Sequence, residues 1–223
     1  MISGKNISLL IVILFILLPV GYAFYLWPDL PATIPTHFGV DGKPDAWGKK
    51  ESIFMLPAIM GGVSLFVFLL LSNLRKFDPK RYGNTDDPIF RQFALLIVAF
   101  MNLMCLIILY NTVHQNMPIN KMIFVFLGIF FAAMGLFMPR LRQNYFAGFR
   151  LPWTLENNEN WTATHRVAGK WWVAGGAIQL VSALVLDGKI LFIVFFIIMM
   201  IMVIVPIVFS YNMFRATNNK RQV

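Results

Sequence analysis

The chain has 223 residues, of which 58% are hydrophobic and 13% charged, and its mean hydropathy is +0.69. Soluble domains are about 45–50% apolar and about 25% charged, so this composition excludes an ordinary soluble protein. The net charge of +9 does not indicate direct nucleic-acid binding, because the basic residues lie at the ends of apolar runs, where they set membrane orientation. The composition therefore predicts an all-α integral membrane protein with the lipid bilayer as its solvent.

Six apolar segments are long enough to cross a membrane. A helix needs about 20 apolar residues to span about 30 Å of hydrocarbon, and lipid offers no partner to free backbone groups, so each span must be helical. The predicted spans are residues 7–27, 53–71, 93–113, 122–138, 167–186 and 190–209. They leave an outer loop at 28–52 and a cytoplasmic loop at 139–166, and we predict one polytopic domain over residues 1–223.

The basic residues predict the orientation of the chain. One side collects fourteen of them: Lys5, Arg75, Lys76, Lys80, Arg81, Arg91, Arg140, Arg142, Arg150, Arg166, Lys170, Arg215, Lys220 and Arg221. The other side holds five: Lys43, Lys49, Lys50, Lys121 and Lys189. Because cytoplasmic loops are enriched in Lys and Arg, both termini are predicted to be cytoplasmic in a multi-pass protein of the plasma membrane.

The outer loop has the pattern of a small folded cap. Pro31 and Pro35 favour extended backbone in the residues before them. The run Val40-Asp41-Gly42-Lys43 is typical of a tight turn with glycine in the left-handed region. We therefore predict a hairpin-like cap on the membrane surface, with candidate site residues Pro35, His37, Phe38, Gly42, Asp45 and Trp47.

Three of the outer-loop side chains, His37, Asp41 and Asp45, could in principle bind a cation. Their spacing matches no strong metal signature, and aspartates are common in turns. The favoured interpretation is that they form hydrogen bonds that fix the loop, with no metal and no cofactor.

The cytoplasmic loop is long and rich in aromatic residues. Thr154 is predicted as the N-cap of a helix that continues into the fifth span. Trp161, His165, Ala168 and Trp172 would then share one helical face, and the tryptophans would anchor that helix among the headgroups. Arg150 could bind a carboxylate, a phosphate or a lipid headgroup, or could serve only as one more cytoplasmic positive charge.

No sequence motif supports catalysis. The chain has no glycine-rich phosphate loop, no His-Glu-x-x-His and no Gly-x-Ser-x-Gly. A membrane enzyme using His37 or His165 lacks an evident catalytic partner, so we predict that the chain is not an enzyme. Asn102 and Gln179, inside the spans, are predicted to form hydrogen bonds between helices.

These two loops resemble the SdpI family of bacterial membrane immunity proteins. The outer match runs from Leu30-Pro31 through Ile34-Pro35-Thr36-His37-Phe38-Gly39 and Gly42-Lys43-Pro44-Asp45 to Trp47-Gly48, and is similar to a domain of unknown function that begins many members. The cytoplasmic match consists of Asn144, Tyr145, Phe146, Gly148, Arg150, Pro152, Trp153, Thr154, Leu155, Trp161, Thr164, His165, Arg166 and Gly169. Leu151 departs from the family pattern, which often has Thr there.

The resemblance implies a function in toxin resistance and signal transduction. Its best-studied member protects the producing cell from a secreted membrane-active toxin peptide and holds a cytoplasmic winged-helix repressor at the membrane. The alternative is a small transporter or lipid-handling protein, because three spans per half would give two inverted halves.

Overall fold

The computed structural model describes residues 4–39, 42–77, 88–114 and 119–221. Asp41, one of the three metal candidates, lies outside this part of the chain. The described α-helices are α1 (Gly4–Leu26), α2 (Met55–Ser72), α3 (Leu74–Phe77), α4 (Pro88–Val113), α5 (Ile119–Phe137), α6 (Pro152–Glu156), α7 (Asn158–Val185) and α8 (Gly188–Arg221), with short 3-10 helices at Trp27–Asp29, Lys50–Phe54 and Met138–Arg140. Strands β1 (Thr33–Phe38) and β2 (Pro44–Lys49) pair antiparallel in one small sheet. The prediction of an all-α membrane protein is confirmed.

Six long helices correspond to the six predicted spans. Within the described residues, five helical segments are long and apolar enough to cross a membrane: Gly4–Asp29, Lys50–Ser72, Pro88–Val113, Ile119–Arg140 and Gly188–Asn219. The remaining long helix, α7, contains the predicted span 167–186 but begins with the polar residues Asn158, Glu159 and Asn160. That α7 also crosses the membrane stays a prediction.

The long helices form two groups of three. Helix α4 packs against α1 and α2, whereas α7 packs against α5 and α8, and the two groups meet mainly where α4 contacts α5. The hairpin lies at the end where α4 finishes and α5 begins, and we call this the outer end. The loop after α5 lies at the opposite, inner end, which is the predicted cytoplasmic side.

Glycines bring α5 and α7 into backbone contact. A Cβ placed on Gly135 of α5 would lie 2.6 Å from the backbone nitrogen of Val173 and 2.8 Å from the carbonyl oxygen of Gly169. One placed on Gly128 would lie 2.8 Å from the backbone nitrogen of Leu180. Because lipid provides no hydrophobic force between helices, such close packing of small residues is a principal source of helix association in membranes.

Polar side chains inside the helices have two different surroundings. Asn102 donates from Nδ2 to Ser64 Oγ of α2 at 2.8 Å, so its predicted interhelical hydrogen bond is confirmed. Gln179 of α7 is fully buried, and among the described residues neither its side-chain nitrogen nor its oxygen has a hydrogen-bond partner. The same prediction is therefore wrong for Gln179, because no polar group of the described neighbouring helices reaches it.

Candidate functional site

The outer loop folds as the predicted hairpin. Pro35 pairs with Trp47 across β1 and β2, and the ladder shifts register on either side of His37. Gly42 has φ of +77°, the left-handed conformation expected of the turn glycine. Ile34, which is 2% exposed, packs with Leu109 in one apolar cluster and so fixes the hairpin to the helices.

His37 and Asp45 form the predicted polar contact across the hairpin. His37 Nδ1 lies 2.5 Å from Asp45 Oδ1, with both side chains more than half exposed. A polar contact so exposed contributes little to stability. Its effect is positional, because it joins the two strands at the point where their register shifts.

An apolar cavity of about 320 Å³ lies beneath the hairpin. Residues 34–38 of β1 form one wall, and the remaining lining comes from Ser52 and Ile53, just before α2, and from α2, α4 and α5. Ile59 and Met55 line the cavity and are also more than half exposed, so the cavity opens sideways along α2. Trp47, at 57% exposure, presents its ring outward on the hairpin.

At the inner end, Asn144 organises the loop that follows α5. Its Oδ1 accepts hydrogen bonds from the backbone N–H groups of Phe146 and Ala147, each at 2.7 Å. Its Nδ2 donates to the carbonyl oxygens of Arg142 and Ala147. Asn144 is fully buried, and these bonds replace the backbone pairing that a helix or strand would supply.

Thr154 stabilises the short helix α6 from within. Its hydroxyl accepts from the backbone N–H of Leu151 at 2.9 Å and donates to the carbonyl oxygen of Phe149 at 2.7 Å. Pro152 occupies the first turn of α6, where its missing N–H costs nothing. The predicted N-cap at Thr154 is wrong: Asn157 caps α7, because its side chain accepts from the N–H groups of Glu159 and Asn160.

His165 joins α7 to the loop through both ring nitrogens. Nδ1 lies 2.8 Å from the carbonyl oxygen of Trp161, to which it donates, and Nε2 accepts from the backbone N–H of Phe149 at 3.0 Å. This pattern requires the neutral ring. Burial lowers the pKa of His165 to about 4, although its hydrogen bond to Trp161 acts in the opposite direction. Gly148 has φ of +101°, and any Cβ there would collide with His165 Nε2.

The tryptophans of this region hold the fold together. Trp161 is 1% exposed, stacks on His165 and donates from its indole nitrogen to the carbonyl oxygen of Leu141 at 2.8 Å. The prediction that Trp161 anchors a helix among headgroups is therefore wrong, because packing inside the loop buries the ring. Trp153 donates to Ser210 Oγ of α8 and stacks on Phe214.

A polar network connects Trp153 to α7. Ser210 Oγ donates to Asn160 Oδ1 at 2.9 Å, and Thr164 Oγ1 donates to the same oxygen at 3.0 Å. Asn160 Nδ2 in turn donates to the carbonyl oxygen of Ser210. Thr164 was among the candidate residues, whereas Asn160 and Ser210 were not, because Ser210 lies fifty positions further along the chain and no local motif links the two.

The structure separates the candidate residues of the inner loop into two classes. Asn144, Thr154, Trp161, Thr164 and His165 are buried. Arg150 is exposed, and its guanidinium donates to the carbonyl oxygen of Tyr145 at 2.8 Å, while the Tyr145 ring is 52% exposed. The first class builds the loop, and Arg150 and Tyr145 lie at its surface.

Comparisons with known proteins find similarity in the segments that contain the outer and the inner loop. Residues 140–210 match the SdpI/YfhL protein family, and residues 14–61 match a domain of unknown function, DUF1648. "Immunity protein SdpI" of Bacillus subtilis (strain 168) is 24% identical over 223 residues, which cover 97% of this chain and 99% of that protein. No solved structure matches the chain.

A second relative covers only part of the chain. An uncharacterised protein of Archaeoglobus fulgidus is 33% identical over 82 residues, which span 37% of this chain and 40% of that protein. The segment that matches DUF1648 contains the hairpin, and the segment that matches the SdpI/YfhL family contains nearly all of the inner loop. These are the same two loops whose motifs resemble the SdpI family. With its apolar helices, the chain is a multi-pass membrane protein that is similar to the SdpI/YfhL family over residues 140–210 and to DUF1648 over residues 14–61.

Proposed function

We propose that the chain is a membrane immunity protein that gives a bacterium resistance to a secreted membrane-active toxin peptide. The observation that carries this proposal is the likeness to an immunity protein over nearly the whole chain, both loops included. The proposed role is not enzymatic and needs no cofactor. It places the hairpin and the cavity beneath it on the outer face of the plasma membrane, where a secreted peptide arrives.

The outer end offers chemistry that suits such a peptide. Membrane-active peptides carry apolar side chains that enter the boundary between headgroups and acyl chains. The outer cavity is apolar and opens sideways along α2, and the hairpin that forms one wall of it also carries the exposed ring of Trp47. An apolar side chain of the toxin would fill the cavity, while the His37–Asp45 pair keeps the hairpin in place over it.

The experiment that tests this function is deletion of the gene and its re-expression in the native host, scored by survival with membrane-active peptides. Loss of survival on deletion and recovery on re-expression are the expected results. Equal survival of the deleted and complemented strains with every peptide would contradict the proposal.

The inner loop supports a second part of the proposal, recruitment of a cytoplasmic winged-helix repressor. The exposed pair Arg150 and Tyr145 combines a charge with an aromatic ring, a composition common in the energetic centres of interfaces. Trp153 contributes indirectly, through its bond to Ser210. Binding of nucleic acid would belong to the repressor and not to this chain.

Repressor recruitment is tested with Arg150→Ala, with Arg166→Ala as the matched control, because both arginines are exposed on the inner side. Arg150→Ala is expected to abolish membrane localisation of a tagged repressor at normal abundance of the chain, while toxin survival is partly retained. Wild-type localisation of the repressor with Arg150→Ala would remove this part of the proposal.

A further inference from the structure

A second cavity, of about 440 Å³, lies at the inner end between the two groups of three helices. Leu71 of α2 and Phe93 of α4 form one wall, and Trp172 of α7 and Val203 of α8 form another. The segment 146–149 of the inner loop closes it at the level of the loop. The two groups of helices meet mainly through α4 and α5, so α2 lies apart from α7 and α8. The cavity occupies the space that this arrangement leaves.

The lining decides what kind of molecule can fill the cavity. Its side chains are those of Val, Leu, Ile, Met, Phe, Ala and Trp. The indole N–H of Trp172 is already used, since it donates to the carbonyl oxygen of Met202. A water molecule needs two to four polar partners, which these side chains do not supply. A volume of several hundred Å³ with apolar walls suits a flexible hydrocarbon chain.

Positive charge lies beside this cavity. Arg150 follows Phe149, a lining residue, and its guanidinium bonds to the carbonyl oxygen of Tyr145, which precedes the lining residue Phe146. Arg150 is exposed, and a guanidinium has five N–H donors, so it retains donors after this bond. In the short helix α3, which follows α2, Phe77 packs edge-on against Phe146, and exposed Lys76 precedes Phe77.

We propose that the inner cavity is a binding site for an anionic phospholipid of the cytoplasmic leaflet. One acyl chain occupies the space between the two groups of helices, and the phosphate lies at the rim on Arg150 and Lys76. Arginine forms paired hydrogen bonds with phosphate oxygens, and basic pockets between membrane helices on the cytoplasmic side bind anionic headgroups. The bound lipid would brace the junction of the two groups. This site does not depend on the proposed function in toxin resistance.

The test uses the full-length chain in nanodiscs of phosphatidylcholine. A trace of phosphatidylglycerol or phosphatidylcholine that carries a photoreactive group at the end of one acyl chain is added, and crosslinks are mapped by mass spectrometry. The phosphatidylglycerol probe is expected to label the segment 146–149 and Val203, the residue of α8 that lines the cavity, several-fold more than the phosphatidylcholine probe does. Equal labelling of these sites by both probes would overturn the proposal.

Two pairs of variants separate the cavity from its rim. Val203→Trp fills the cavity and is expected to abolish the labelling, whereas Val208→Trp, an exposed valine of the same helix outside the lining, should leave it unchanged. Arg150→Gln should remove the preference for phosphatidylglycerol, whereas Arg166→Gln should retain it. If Val203→Trp does not fold, Ile97→Phe fills the same cavity from α4.

Two further outcomes would contradict the binding of an anionic phospholipid in the inner cavity. Labelling that persists in folded Val203→Trp or Ile97→Phe would show that the probe reacts with general bilayer-facing surface. Displacement of both probes by an added membrane-active peptide, without preference between the two headgroups, would make the cavity a peptide site.

Discussion

The indole nitrogen of Trp172 donates a hydrogen bond to the carbonyl oxygen of Met202 at 3.1 Å. Met202 lies four residues before Pro206, which sits inside α8. Proline has no N–H, so the helix cannot supply the usual i to i−4 bond to this carbonyl. In a membrane such an unpaired group is costly, and a side chain from α7 satisfies it instead. The contact ties the two helices together where α8 lacks one of its own hydrogen bonds.

The Trp172–Met202 bond predicts a specific non-additivity. Trp172→Phe should destabilise the purified protein by about 1 kcal/mol through loss of this bond, in addition to lost packing. In a Pro206→Ala background the residue at position 206 can bond the Met202 carbonyl itself, so the same change should cost less. Thermal unfolding in detergent of the four proteins measures the difference. Equal costs in both backgrounds would show that Trp172 acts by packing alone.

The glycine contact between α5 and α7 predicts a large difference between two similar substitutions. Gly135→Ala places a methyl group against the backbone of α7 and should destabilise by about 1–3 kcal/mol, the range for overpacked interiors. Gly62→Ala in α2 meets nothing within 4 Å and should be neutral or slightly stabilising, because alanine favours helix. Unfolding temperatures in detergent compare the two. An effect of Gly135→Ala as small as that of Gly62→Ala would contradict the prediction and show that α5 and α7 can move apart at little cost.

His165 predicts a loss of stability in acid. In the folded protein its pKa is about 4, below the ordinary value of 6.5. Between these values the unfolded chain binds more protons, so the free energy of unfolding falls as pH decreases from 6.5 towards 4. Protonation of Nε2 would also break its bond to the Phe149 N–H. Unfolding measured across this pH range should show a steeper slope for the wild type than for His165→Gln, and parallel slopes would contradict the assignment.

The orientation of the chain predicts a labelling pattern. In a Cys105→Ser background, Lys49→Cys on the hairpin should react with an impermeant thiol reagent added to intact cells. Asn158→Cys, at the start of α7, should react only after the membrane is opened. Cys105 is the single cysteine of the chain, so after its replacement the introduced cysteine is the one thiol that can react. The reverse pattern would place both loops on the opposite sides.

The elements of the fold follow from local patterns, but their long-range contacts do not. Apolar runs predicted the spans, and Gly42 with its neighbours predicted the hairpin, because each signal lies within a few residues. The inner loop depends on pairs such as Trp153 with Ser210 and Gly148 with His165, which sequence spacing cannot join. The contact between α5 and α7 does have a signal in the sequence. Gly128 and Gly135 are seven residues apart, as are Gly169 and Gly176, and such a spacing of small residues is typical of helix contacts in membranes.

The central claim is that the cavity beneath the hairpin receives the toxin. The most direct test is the survival of complemented strains in the presence of a membrane-active toxin when a substitution in α2 fills that cavity. Ile59→Trp places a large ring in the cavity, whereas Val63→Trp changes an exposed residue one turn further along α2, outside the lining. At equal membrane abundance, Ile59→Trp is expected to lose most of the protection and Val63→Trp to retain it. Full protection by Ile59→Trp would contradict the claim that the cavity beneath the hairpin receives the toxin.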